Sequence, residues 1–88
     1  MNSKQSLFDL QPGDVAVISS YSAFTPDSAK LRALGLVEGE RLRVVRYAPM
    51  GEPIEIKVRG FYLSLDKQTG ESINVKSLRT TETEKSAV

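Results

Sequence analysis

The side chains that most often carry chemistry are missing. The 88-residue chain has no histidine and no cysteine. It therefore lacks imidazole, the usual general base near neutral pH. Thiolate nucleophiles, thiolate metal ligands and disulfides are excluded as well. Serines and threonines are plentiful, but no neighbouring group in the sequence would activate them. No glycine pattern opens a helix as a phosphate cradle. Carboxylates remain. Glu38 with Glu40, or Glu52 with Glu55, could offer oxygen ligands to a hard cation. Transition-metal sites usually recruit imidazole or thiolate instead, and exposed turn carboxylates are the commoner explanation of such pairs. The expectation is a protein that is not an enzyme and holds no cofactor.

One stretch invites a different kind of chemistry. In "RYAPMGEPIEIKVRGFYLSL" two prolines, Pro49 and Pro53, bracket a Met50-Gly51-Glu52 tip. A methionine between proline and glycine is poorly placed to fill a core, and exposed flexible methionine is common at binding surfaces. The alternatives are that Met50 folds back over the end of the domain, and that Gly51 and Pro53 only make the turn.

Charge argues against nucleic acid. Twelve basic residues face eleven acidic ones, for a net charge of +1, whereas a nucleic-acid-binding domain is usually far more basic. Arg41, Arg43 and Arg46 do cluster, as do Lys57 and Arg59. Such charges are usually the solvated face of a half-buried sheet. Binding to single strands also calls for aromatic platforms in a basic groove, and only Tyr21, Tyr47 and Tyr62 offer themselves. No run approaches the roughly 20 apolar residues of a membrane span, and the N-terminal residues lack the apolar core of a signal peptide. A cytoplasmic protein without membrane insertion is expected.

The elements that would hold the tip follow from the pattern. Pro12-Gly13-Asp14 is a turn, and "DVAVISSY" alternates as a strand. Thr25 is a good N-cap, Pro26 suits the first helical position and Asp27 suits the positive end of the helix dipole. Leu31 and Leu34 form a narrow stripe, Gly35 ends the helix in the left-handed conformation, and Leu36 packs back over the end. About nine residues are too few for a helix to stand alone, so this one must dock on a sheet. In the next strand Leu42 and Val44 share a face, and the phase breaks at Val44-Val45, the sign of a bulge. Ile54, Ile56 and Val58 alternate with Glu55, Lys57 and Arg59. Phe61, Leu63 and Leu65 alternate after Gly60. "DKQTGES" reads as a second hairpin turn and "INVKSL" as a last strand, with Ile73 and Val75 inward. Five short strands and one inserted helix predict an all-β domain, a small SH3-like barrel over residues 7–78, with flexible termini at 1–6 and 79–88. Closing the sheet removes edges that an open sheet of this size would expose.

Three segments in order then resemble the ferrous iron transport protein A (FeoA) family. They are the "LGL-x-x-G" helix exit at Leu34 to Gly39, the "aP-x-G-[DE]-P-I" hairpin at Ala48 to Ile54, and the "v-r-G-x-x-l-x-L" strand pair at Val58 to Leu65. Asp66 stands where the family often carries an arginine. The resemblance implies an SH3-like barrel acting as a small cytoplasmic accessory of a membrane ferrous iron transporter with a cytosolic G domain, through contact rather than by carrying iron. The expected contact surface is Leu36 at the helix exit with Pro49, Met50, Gly51, Glu52 and Pro53 at the hairpin tip, on a monomer. A nucleic-acid-binding or metal-sensing module is the alternative.

Overall fold

The computed structural model describes residues 5–78. It contains strands β1 (Gln5–Ser6), β2 (Val15–Tyr21), β3 (Arg41–Tyr47), β4 (Ile54–Val58), β5 (Phe61–Leu65) and β6 (Ile73–Ser77). Helix α1 (Pro26–Ala33) lies between β2 and β3, and α2 (Lys67–Glu71) between β5 and β6. A 3-10 turn spans Leu7–Asp9. All strands join one antiparallel sheet in the order β1-β6-β2-β3-β4-β5.

Period-two alternation sets which side chains go inward. Leu42 and Val44 of β3 are buried, as are Ile54, Ile56 and Val58 of β4. Ala16 and Ile18 of β2 and Ile73 and Val75 of β6 join them in a single cluster with Leu7, Leu10, Leu31 and Leu36. Six flat strands at about 4.8 Å spacing would spread these faces over roughly 24 Å. One shared core therefore requires the sheet to curl, and the result is the small SH3-like barrel.

The bulge falls where the phase broke. Val44 opposes Ile56 and Arg46 opposes Glu55, so Val45 is the extra residue. Helix α1 has the expected ends. The Thr25 hydroxyl accepts from Ser28 N–H at 3.1 Å, and the Ser28 hydroxyl accepts from Thr25 N–H at 2.8 Å. Gly35 has φ 107°, and Leu36 N–H donates back to Leu31 C=O at 2.9 Å.

Two elements differ from expectation. Gln5–Ser6 forms a strand against Asn74 and Val75, although its side chains are polar. The pairing needs only backbone groups, so no side-chain pattern marks it. This makes β6 an interior strand, and Asn74 is consequently buried, with its amide donating to Ser20 Oγ at 3.0 Å. The segment read as a second hairpin turn is α2. Asp66 caps it by accepting from Thr69 N–H at 2.8 Å, so the residue that departs from the family's usual arginine has a structural task. That hydrogen bond also holds the Asp66 carboxyl below its ordinary range. The C-terminal segment expected to fray lies outside the described residues.

Candidate functional site: the tip of the β3–β4 hairpin

The hairpin tip is built by short backbone bonds. Ala48 N–H donates to Pro53 C=O at 3.0 Å, and Gly51 N–H donates to Ala48 C=O at 2.8 Å. Gly51 has φ 96°, a conformation that glycine adopts without a Cβ penalty. Held this way, Met50 is 92% exposed. Pro49, Gly51, Glu52 and Pro53 are exposed around it. Met50 thus does not fold back over the barrel.

The tip is tied to α2. Glu52 Oε1 accepts from Lys67 N–H, the first residue of that helix, at 2.6 Å. The first N–H groups of a helix have no partner inside it, and a carboxylate there also meets the positive end of the dipole. Glu52 and Asp66 therefore satisfy two of these donors from different parts of the chain. Helix α2 in turn rests on the 3-10 turn: a Cβ on buried Gly70 would overlap the Phe8 ring. Phe8 meets Tyr47 edge-on, with centroids 5.5 Å apart. Tyr47 donates its hydroxyl to Leu10 C=O at 2.6 Å. Burial, then nearby Asp9 and Asp14, raise that hydroxyl above its ordinary pKa. Tip, α2 and the N-terminal turn form one buttressed unit.

Leu36 requires a correction. It is fully buried, and its carbonyl accepts from the Tyr21 hydroxyl at 2.6 Å. Its packing over the helix end removes it from the surface. The exposed apolar residues near that exit are Leu34 and Val37. The exit and the tip also do not share a surface. Residues 35–40 feed the start of β3, where Leu42 opposes Val58, whereas the tip follows the pair Tyr47 and Ile54. Five strand residues, about 16 Å, separate these two ends of the hairpin.

The carboxylate pairs are mostly engaged. Glu38 makes a bidentate pair with Arg32, at 3.0 and 2.8 Å. Arg32 also stacks over the Tyr21 ring at 4.7 Å, and its hydrogen bonds hold the Glu38 carboxyl below its ordinary range. Glu55 meets Arg46 at 3.0 Å, and Glu52 serves α2. Among the described residues no three carboxylates come together as a metal-holding group.

Sequence reasoning missed the buttress. No apolar pattern announces α2, and the Glu52–Lys67 contact joins residues with no sequence link. The available signal was Asp66 followed three positions later by Thr69, a capping spacing.

The FeoA domain profile matches residues 5–77. The chain belongs to the FeoA family. Among solved structures, the FeoA protein from Chlorobium tepidum is 37% identical, with a TM-score of 0.81 over 89% of this chain and 74% of that one. A FeoA-like protein from Clostridium acetobutylicum is 25% identical, with a TM-score of 0.81 over 96% and 98% of the two chains. The zinc-complexed FeoA from Stenotrophomonas maltophilia, described as a prokaryotic SH3 domain protein, is 28% identical, with a TM-score of 0.71 over 82% and 89%. A manganese-dependent transcriptional repressor, 21% identical at a TM-score of 0.76, shares the fold alone. A search of the curated proteins finds no match. The FeoA chain is thus a small ferrous-iron-transport-related protein on an SH3-like barrel, and no described helix is long and apolar enough to cross a membrane.

Proposed function

We propose that this FeoA chain is a cytoplasmic accessory protein of a bacterial ferrous iron uptake system. It regulates uptake by direct contact with the membrane iron transporter that carries a cytosolic G domain. Family membership supplies the transport system. The observation that supports contact is Met50, 92% exposed on a tip braced by α2. Burying a methionine side chain is worth about 1.5–3 kcal/mol. A braced tip loses little conformational freedom on binding, so more of that gain appears as affinity. Pro49, Gly51, Glu52 and Pro53 surround Met50 and complete the contact. Leu36 supports the barrel from within and takes no part. The Stenotrophomonas maltophilia relative, described as a candidate ferrous iron transport activating factor, fits the same role.

The test is the affinity of the full chain and of Met50→Asp for the purified transporter. The variant should keep the wild-type melting temperature and bind at least about tenfold more weakly, the equivalent of 1.4 kcal/mol. Equal affinity for the two proteins would remove the tip from the interface.

A further inference from the structure

The outer face of the sheet carries a feature that the hairpin tip does not use. Register places Val15, Arg43, Lys57 and Tyr62 in one row across β2, β3, β4 and β5. Arg41 precedes this row on β3 and Arg59 follows it in the turn just after β4. Arg41, Arg43, Lys57 and Arg59 line a shallow recess with half-buried Val15 at its floor. Four cations there face one carboxylate, Glu40. Among the described residues the ion pairs are Arg32 with Glu38 and Arg46 with Glu55, so none of the four has an anionic partner. In a chain of net charge +1, this is a strong local excess.

The arrangement works against the fold. Arg43 and Lys57 stand directly opposite each other, and like charges at such positions destabilise a sheet. A solvated face could carry Glu at either position and gain an attractive pair.

We propose that this face docks an extended acidic segment of a partner protein, with carboxylates on alternate residues and an aliphatic side chain over Val15. Arg41 and Arg43 lie two strand residues apart, about 6.6 Å, the repeat of same-side residues on an extended segment. Arginine pairs with carboxylate through a planar bidentate fork. The exposed aromatic here, Tyr62, already has Lys57 Nζ 5.7 Å from its ring centroid. The stacked platforms that bind single-stranded nucleic acid are thus lacking on this row. Val15 is half-buried among the cations and does not project, unlike the residues that insert into a lipid surface.

The experiment uses the full chain and a short fluorescein-labelled peptide of alternating Glu and Ser around a central Leu. Fluorescence anisotropy compares it with the same peptide carrying Gln for Glu, with a labelled single-stranded oligonucleotide, and with phosphatidylserine vesicles. The Glu peptide should bind most tightly, and more weakly as salt rises. Arg41→Glu/Arg43→Glu should bind it about tenfold or more weakly. Arg43→Glu alone should also weaken binding while raising the melting temperature by a few degrees, because the new carboxylate would face Lys57. A purely structural role for Arg43 gives a lower melting temperature instead. Equal binding of the Gln peptide, unchanged binding by the double variant, or tighter binding of the oligonucleotide or the vesicles would overturn the proposal.

Discussion

Replacing Gly70 by alanine separates packing from helix propensity, because the two predict opposite signs. Inside a helix, glycine to alanine ordinarily gains up to about 1 kcal/mol. Here the new Cβ would lie 2.5 Å from Phe8 Cδ1 and closer still to Cε1. Carbon atoms pack at about 3.5–4.0 Å, so the ring must retreat by an ångström or more. It cannot do so freely, since Phe8 is packed against the core and edge-on to Tyr47. Overpacking of this kind costs about 1–3 kcal/mol, and the net expectation is a loss of about 1–2 kcal/mol. In a domain of this size each kcal/mol moves the melting temperature by about 4–8 °C. Thermal and urea denaturation of Gly70→Ala should therefore show a clear loss. Phe8→Leu removes the obstructing ring, so the double variant should lose less than the two single changes added together. Displacing α2 should also speed amide exchange at residues 48–53, because Lys67 N–H holds Glu52. A Gly70→Ala protein as stable as the wild type, or more so, would refute the packing argument.

Further outcomes follow from the same contacts. Met50→Asp should leave stability within about 0.5 kcal/mol, as for other exposed positions, checked by thermal denaturation; a fall of several degrees would place Met50 in the core. Leu36→Ala should cost about 2–5 kcal/mol and lower the melting temperature by about 8 °C or more, read by circular dichroism. Acid should destabilise the protein through Glu38 and Asp66. Arg32 holds the Glu38 carboxyl below its ordinary range, and Thr69 N–H does the same for Asp66. A depressed folded pKa stabilises above the unfolded value, and the contribution is lost as pH falls through the folded one. Melting temperature should drop as pH falls from about 5 toward 2, and less steeply in Arg32→Gln/Asp66→Asn.

Much of the barrel was legible because its strands alternate and its helix is punctuated. Thr25, Pro26 and Asp27 begin α1, and Gly35 with Leu36 ends it, each through local backbone chemistry that sequence reports directly. The Val44-Val45 phase break marks the bulge for the same reason. What escaped was non-local. β1 pairs through backbone groups that every residue shares, and α2 has no apolar face to betray it. Burial of Asn74 follows from β1, so missing one hid the other. At the site, Pro49 and Gly51 suggested an exposed Met50 but left open its folding back over the barrel, which the backbone bonds of the tip decide. The engagement of Glu52 was not readable, because its partner lies 15 residues away. Leu36 shows how a correct local reading misleads about the surface: the residue that caps a helix end is, for that reason, inside. The basic row was visible only as two separate clusters, Arg41 with Arg43 and Arg46, and Lys57 with Arg59, until register set Arg43 opposite Lys57.

We propose that this FeoA chain works by contact between its hairpin tip and the transporter. The most direct measurement is an NMR titration of the isotope-labelled chain with the cytosolic G domain of that transporter, with and without guanine nucleotide. Shifts should concentrate at residues 48–54, with Leu36 and its core neighbours unmoved. Shifts confined to residues away from the tip would contradict the proposed contact, and silence in every nucleotide state would remove the G domain as the direct target.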